Sequence, residues 1–178
     1  MRTAMKAKKN SDRAMESASF RIREASLPQD IPAIHEFILD LQRFEHALES
    51  NRRLDAPVAA DYLSALEKKV HETGGTFLIA EDDSGHAIGW AAAHEDEQEI
   101  YIVPEERRVG YIAELYVVPD ARGRGVGSSL IRACETWARQ RSLPVIMIGV
   151  LSKNARAFAV YQNNEYDPYA VFLRKSLR

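Results

Sequence analysis

The chain has 178 residues, a net charge of −2 and 46% hydrophobic residues, which is the size and balance of one globular domain. The nearly neutral charge argues against nucleic-acid binding through the overall field, and no apolar run reaches the ~18 residues of a membrane-spanning helix. A single cysteine, Cys134, excludes an internal disulfide and suits a reducing compartment, so we predict a cytoplasmic protein that binds neither nucleic acid nor membrane.

The first eighteen residues carry five basic side chains and lack the apolar core of a signal peptide. We therefore predict a flexible, solvated tail over 1–18. Residues 19–178 are expected to form a single domain.

Apolar periodicity predicts the elements of this domain in chain order. A strand is expected around 20–22, followed by two amphipathic helices with apolar stripes over 31–44 and 58–70. Two apolar runs on either side of the polar turn 82–85 indicate a β-hairpin. The remaining elements are expected to be a strand over 111–118, a helix through 130–138, a strand over 145–150, a helix over 154–163 and a final strand over 169–173.

This order, β-α-α-β-β-β-α-β-α-β, predicts an α/β (mixed α+β) domain. The expected sheet is mixed, mostly antiparallel and twisted, with helices on both faces. The strands over 111–118 and 145–150 should be parallel to each other, because a helix crosses over between them. Cys134 falls on the apolar stripe of that helix and is expected in the core rather than as a nucleophile.

A glycine-rich segment joins the strand over 111–118 to the crossover helix. It reads Arg122, Gly123, Arg124, Gly125, Val126, Gly127 and Ser128. Glycines permit a left-handed backbone and a close approach of ligand, and a helix N-terminus presents unpaired N–H groups, so the segment predicts a phosphate site. It lacks the Gly-Lys-Ser/Thr ending of a nucleotide loop, and Ser128 stands where a dinucleotide fold has its last glycine. The residues alone leave the identity of the phosphate ligand open.

Two motifs together resemble the GNAT superfamily of N-acetyltransferases. The family pattern Arg/Gln-x-x-Gly-x-Gly/Ala after a strand is matched by Arg122, Gly125 and Gly127. A second family pattern, which has Asn, then Ala three positions later and Tyr seven positions later, is matched downstream by Asn154, Ala157 and Tyr161. The element order over 20–177 also fits the family.

Two positions depart from the family pattern. Glu165 and Tyr166 stand where the family usually has a Gly-Phe pair, so the backbone of that loop is expected to differ. Gly149 occupies the position at which some members carry a glutamate base. The resemblance therefore leaves the general base to be found elsewhere.

The resemblance implies acetyl-coenzyme A as the co-substrate, a primary amine of a small molecule or peptide as the acceptor, direct attack in a ternary complex, and no metal. The backbone at Leu115–Val117 is implied to lie where a bulge splays this strand from the strand over 145–150. Its N–H groups are implied to stabilise the oxyanion and to pair with the pantetheine arm. The implied cofactor contacts are Leu115, Tyr116, Val117, Arg122, Gly123, Arg124, Gly125, Val126, Gly127, Ser128, Asn154, Ala157 and Tyr161.

Two residues are candidates for proton transfer. By resemblance, Tyr161 is the acid that protonates the leaving thiolate, although its place on a helix face also suits a core tyrosine. Glu114 is the candidate base or amine ligand, the alternative being an ion pair with Arg107 or Arg108. Asn154 is also expected to cap its helix.

The acceptor and the partners are less well defined. Carboxylates over 95–99 and 105–106 would attract a cationic acceptor, or they simply solvate a loop. His35-Glu36 and His94-Glu95 lack the second histidine of a zinc motif, so no metal is predicted. The alternative function is a non-catalytic acetyl-coenzyme A-binding or regulatory module of the same fold. The oligomeric state stays open, a homodimer included.

Overall fold

The structure, a computed structural model, describes residues 19–177. The predicted tail over 1–18 lies outside the described residues and stays a prediction. No helix within 19–177 combines the length and the apolarity that a bilayer crossing requires. The elements are β1 (Phe20–Glu24), α1 (Ile31–Leu48), α2 (Pro57–Thr73), β2 (Thr76–Asp82), β3 (Ala87–Glu97), β4 (Arg108–Val117), α3 (Val126–Gln140), β5 (Val145–Ile148) and α4 (Ala155–Asn163), with short 3₁₀ turns at Pro104–Glu106 and Pro119–Ala121.

The five strands form one sheet in the order β1-β2-β3-β4-β5. The first three pairs are antiparallel and β4 pairs with β5 in parallel, which confirms the predicted mixed sheet. The hairpin between β2 and β3 turns at Gly85, whose φ of 82° is readily adopted only by a residue without a Cβ. The crossover α3 joins the parallel pair, as expected for a β-α-β unit.

The helices cover both faces of this sheet, as predicted. On one face α1 and α2 bring Ile34 and Leu63 against Trp90 of β3. On the other face α3 packs Leu130 and Cys134 against Ala91 and other sheet residues. Cys134 is fully buried and burial raises the pKa of its thiol to about 12, so the expectation of a core cysteine is confirmed.

The predicted final strand over 169–173 is wrong. Residues 164–177 contain no helix or strand, and all of 167–177 are exposed. The apolar pattern of 169–173 suits a strand, but within residues 19–177 the segment pairs with no strand of the sheet.

Candidate functional site

The strands β4 and β5 separate halfway along β4. Their parallel pairing joins 109–112 to 145–148 and stops at Ile112 and Ile148. The remainder of β4 continues to Val117, paired only with β3. Among the described residues, the other edge of β4 over 113–117 therefore has no strand beside it. An opening begins at this point, and its wall is an unpaired strand edge.

A β-bulge accompanies this separation. Glu114 pairs with Ala92 and Ile112 pairs with Ala93, so Ala113 is the extra residue of β4. The resemblance implied a bulge at Leu115–Val117, and the structure corrects its position to Ala113. Leu115–Val117 lie just beyond it, on the splayed part of the strand. The bulge breaks the two-residue alternation: Ile112 and Leu115, three positions apart, both pack on the α3 side, and Ala113 and Tyr116, also three apart, both pack on the α1/α2 side.

The glycine-rich loop follows the end of β4. Gly123 and Gly125 have φ values of 77° and 84°, and a Cβ at either position would meet nothing within 4 Å. Gly125 caps α3 without a side-chain hydrogen bond, and Val126 anchors the helix in the core. The first-turn N–H groups, which have no partner within a helix, therefore face an open surface.

Arg122 connects this loop to β4. Its Nε donates a hydrogen bond to the carbonyl of Val117 at 2.8 Å, and its guanidinium lies 5.7 Å from the centroid of the Tyr116 ring. The Tyr116 hydroxyl in turn donates to Asp40 at 3.1 Å. Arg122 thus holds the loop against the strand end, and Arg124 is exposed in the same loop.

The C-terminal end of α4 is tied to the first turn of α3. The side-chain amide of Asn164 donates to the hydroxyl of Ser128 at 3.0 Å. At the other end of α4, Asn154 accepts a hydrogen bond from the N–H of Ala157 at 3.1 Å, which confirms its capping role. Glu165 has a φ of 66°, the left-handed conformation that suits a glycine, although its side chain is not that of a residue that adopts it readily.

Glu114 is a buried carboxyl without a basic partner. It is 9% exposed, and its Oε2 atom has no hydrogen-bond partner. The suggested ion pair is wrong, because Arg108 pairs with Glu95 at 2.6 Å and Arg107 donates to the carbonyl of Ile102. The pKa of Glu114 is raised to about 7. Burial is the main cause, the hydrogen bond from the Tyr62 hydroxyl partly offsets it, and Glu45 on α1 adds to the rise.

Besides burial, the charge of Glu114 raises the pKa of three tyrosines, Tyr62, Tyr111 and Tyr161. We call these four residues the carboxyl–tyrosine cluster. Burial, followed by the charge of Glu114, raises the pKa of Tyr161 to about 12, and the same two causes raise the pKa of Tyr62. Burial, Asp96 and Glu114 raise the pKa of Tyr111. All three hydroxyls are therefore protonated donors at neutral pH.

Gly149 makes room for one member of this cluster. A Cβ at Gly149 would lie 3.0 Å from the Tyr111 hydroxyl, and the Tyr111 ring packs against His94 with centroids 5.5 Å apart. Tyr62 could not be predicted as a member of the site, because it falls in the apolar pattern of the second helix, which suggests only a core residue. No local signal distinguishes it, because its partner lies on a distant strand.

The predicted rim of carboxylates is partly neutralised. Glu95 pairs with Arg108 and Arg141, and Asp96 pairs with Lys69 at 3.2 Å. These two carboxylates join β3 to its neighbours through ion pairs. Among residues 19–177, no three His, Cys, Asp or Glu side chains gather in an arrangement able to hold a metal ion.

Comparison with known proteins identifies acetyltransferases that are similar to this chain. A model of the acetyltransferase (GNAT) family matches residues 36–166. An uncharacterised N-acetyltransferase of Archaeoglobus fulgidus is 33% identical over 88 residues, which are 49% of this chain and 57% of that protein. An aminoglycoside N(6')-acetyltransferase type 1 of Klebsiella aerogenes is 45% identical over 67 residues, which are 36% of this chain and 41% of that protein. The chain thus spans about half the length of these curated relatives.

Solved structures share the fold. A protein from Bacillus halodurans superposes with a TM-score of 0.76 at 20% identity, covering 89% of this chain and 99% of that one. An aminoglycoside N-acetyltransferase in complex with CoA superposes with a TM-score of 0.61 at 21% identity, covering 88% of this chain and 95% of that one. Because the family model spans more than half of the chain, including the loop, the splayed strand and α4, the chain belongs to the acetyltransferase (GNAT) family.

Proposed function

We propose that the protein is an N-acetyltransferase that moves the acetyl group of acetyl-coenzyme A to a primary amine of a small molecule or peptide. Attack is direct, within a ternary complex. The observation that carries the proposal is the position of Glu114: a buried carboxyl with a pKa of about 7 directly follows the bulge on the strand that leads to the glycine-rich loop. We propose no metal in this reaction.

The cofactor is proposed to lie along the opening between β4 and β5. The N–H groups of Val126, Gly127 and Ser128 would bind its pyrophosphate, because a helix N-terminus attracts negative charge. The open strand edge at Leu115–Val117 would pair with the pantetheine arm as an added strand does. The other wall is formed by α4, through Asn154, Ala157 and Tyr161. The CoA complex of the aminoglycoside enzyme, which has the same fold, supports this choice of cofactor.

The proposed chemistry uses two members of the carboxyl–tyrosine cluster. An alkylammonium with a pKa near ~10.4 is protonated at neutral pH and cannot attack, so Glu114 accepts a proton from it, directly or through water. The amine nitrogen then bonds to the thioester carbon, and the backbone N–H groups of Leu115–Val117 stabilise the oxyanion. As the C–S bond breaks, the Tyr161 hydroxyl donates its proton to the departing thiolate. The resulting phenolate takes, directly or through water, the second proton that the nitrogen must lose to become a neutral amide.

The proposed acceptor is a cationic amine. When ionised, Glu114 is a buried negative charge without a basic partner, which favours a bound ammonium over a neutral alcohol. The similarity to an aminoglycoside N(6')-acetyltransferase supports small polyamino compounds as the first acceptors to test.

The proposal is tested by incubating the protein with acetyl-coenzyme A and a panel of amines, with release of free thiol as the readout. Aminosugars, linear polyamines and peptide amines cover the proposed acceptor classes. Turnover with at least one of them is expected. Cofactor binding without thiol release across the panel would instead support the non-catalytic binding module.

Acetyl-coenzyme A should raise the melting temperature. A ligand at 100 times its dissociation constant adds about 2.7 kcal/mol of stability, which for a domain of this size is roughly 5–10 °C. NADH is the control, because the loop lacks the last glycine of a dinucleotide site, and it should give no comparable shift. An unchanged melting curve at millimolar acetyl-coenzyme A would contradict the cofactor assignment.

Gly125→Asp should weaken acetyl-coenzyme A binding on the order of 100-fold, because it places a carboxylate among the N–H groups proposed to hold phosphate. Gly85→Asp is a matched control. Gly85 has a φ of 82° against 84° for Gly125, and neither has an atom within 4 Å of its added Cβ. The backbone strain is therefore the same in both variants, and calorimetric affinity should fall only for Gly125→Asp. Equal affinities would show that the loop is only a turn.

A further inference from the structure

The proposed chemistry uses Glu114 and Tyr161 and gives no role to Tyr111. Tyr111 lies on β4, and its backbone pairs with Met147 of β5, one position before the last pair of the two strands. Its hydroxyl reaches past that last pair, because a Cβ on Gly149 would lie 3.0 Å from it. The Tyr111 side chain therefore runs along the sheet to the point at which β4 and β5 separate.

Gly149 leaves this hydroxyl beside open space. Apart from its neighbours in sequence, a Cβ added at Gly149 would meet the Tyr111 hydroxyl and no other described atom within 4 Å. Gly149 is exposed and Tyr111 is half-buried. The backbone at Gly149 is not in the left-handed region, so its conformation does not require a glycine. The missing side chain instead gives the hydroxyl its place at the start of the opening.

The bulge brings Tyr111 and Glu114 to the same side of the sheet. In a regular strand, residues three positions apart face opposite sides. Because Ala113 is the extra residue of the bulge, Ile112 and Leu115 both pack on the α3 side. Tyr111 and Glu114 directly precede them in the chain, so both face α1 and α2 instead. The tyrosine and the carboxyl are thus presented to one and the same space.

Tyr111 also lies within electrostatic reach of both groups that are proposed to move protons. Burial, followed by Asp96 and Glu114, raises the pKa of its hydroxyl. Burial, followed by Glu114, Glu45 and Tyr111, raises the pKa of Tyr161. The Tyr111 hydroxyl is therefore neutral at neutral pH, and the lone pairs of its oxygen can accept a hydrogen bond from a cation.

We propose that the Tyr111 hydroxyl oxygen binds the ammonium group of the acceptor and orients its nitrogen toward the thioester. A primary ammonium has three N–H donors, and Glu114 accepts the one whose proton it removes. A second acceptor fixes the direction of the other N–H groups, and hence of the lone pair left on nitrogen. Gly149 is then a specificity-determining position, because any side chain there would displace the hydroxyl. The inference rests on the proposed function.

Tyr111→Phe removes the hydroxyl and keeps the ring. It should lower kcat/KM for the amine by about 10–100-fold, the usual effect of losing a hydrogen bond to a charged group. The dissociation constant of acetyl-coenzyme A should not change, because the hydroxyl is proposed to bind only the amine. Tyr101→Phe is the control: Tyr101 is 81% exposed in the connection between β3 and β4, and its loss should leave both constants unchanged.

Gly149→Ala tests the same hydroxyl from the opposite strand. Its methyl group would meet the Tyr111 hydroxyl alone, so it should lower kcat/KM for the amine in the wild type and add no further loss in Tyr111→Phe. The melting temperature should follow the same pattern, with a fall of about 2–4 °C in the wild-type background alone. Losses that add up in the double variant would show that the two residues act independently, and would overturn the inference.

Failure of this inference and failure of the proposed function give different results. A wild-type protein that releases no thiol with any amine of the panel contradicts the proposed function, and this inference with it. Turnover by the wild type, together with an unchanged kcat/KM in Tyr111→Phe, contradicts this inference alone.

Discussion

Replacing Glu114 with glutamine should lower kcat/KM for amine acetylation by about 10²–10⁴-fold, the usual contribution of a positioned general base. Glutamine keeps the size of the side chain, and the variant should still bind acetyl-coenzyme A. In the wild type, kcat/KM should rise with pH through about 7, because the carboxyl must be ionised to accept a proton. The variant should lack this rise. The measurement is the pH dependence of kcat/KM for both proteins.

A second variant separates the role of Glu114 from that of its surroundings. The Tyr62 hydroxyl lowers the pKa of Glu114, so Tyr62→Phe should move the rise in activity to higher pH without abolishing it. This displacement is a readout that loss of packing alone would not produce. A rise at the wild-type pH in Tyr62→Phe, or full activity in Glu114→Gln, would contradict the assignment.

Unfolding measurements check the same carboxyl without a substrate. The pKa is raised from 4.5 to about 7 in the folded state, so the folded protein holds this proton more tightly than the unfolded chain does. Glu114 therefore contributes to the free energy of unfolding below pH 4.5, and this contribution is lost as the pH rises through 7. The free energy of unfolding changes by about 3 kcal/mol over this range. Glu114→Gln does not titrate there. The difference in unfolding free energy between the two proteins should therefore change by that amount, in favour of the variant at high pH.

The second large effect is expected at Tyr161. Tyr161→Phe should lower kcat by about 10²–10⁴-fold and leave cofactor affinity nearly unchanged, because only the proton for the leaving thiolate is lost. The deficit should shrink with rising pH, since a thiolate with a pKa near ~8.5 leaves more easily without a proton in base. The measurement is kcat against pH with one good acceptor.

Tyr166→Phe is the matched control for this variant. Its ring lies 6.3 Å from that of Tyr161, but burial and groups on α3, rather than Glu114, raise the pKa of its hydroxyl. Its loss should leave kcat unchanged. If Tyr161→Phe also has the wild-type kcat across the pH range, with chemistry shown to be rate-limiting, a solvent proton donor would replace Tyr161 in the mechanism.

The parts of the site that depend on local sequence could be predicted. The glycine-rich loop, the start of α3 and the cap at Asn154 follow from residues adjacent in the chain. The bulge at Ala113 could not be predicted, because it depends on the register between β3 and β4. The contact between Tyr62 and Glu114 joins residues on separate elements, and an apolar helical pattern conceals it. Glu114 could thus be chosen from the sequence as a candidate base, but its burial and its raised pKa could not be predicted.

The error at 169–173 has a different cause. Alternating apolar residues show that a segment requires burial, but they do not show which surface provides it. The sequence therefore predicted a strand within the domain, whereas residues 169–173 form no strand of the sheet. Glu165 is the opposite case: its side chain gives no sign of the left-handed backbone that the structure has at this position.

The open edge of β4 also bears on how this sequence can diverge. A strand edge binds through main-chain N–H and C=O groups, which every residue except proline supplies in full. Substitution at Leu115 or Val117 by another apolar residue would thus alter the packing against the α3 side before it altered recognition of a strand-like ligand. Substitutions at these two positions are limited by packing in the core, whereas substitutions in the glycine-rich loop are limited by its backbone conformation. Leu115 and Val117 should accordingly vary among apolar residues, whereas Gly123 and Gly125, which have a left-handed backbone, should vary least.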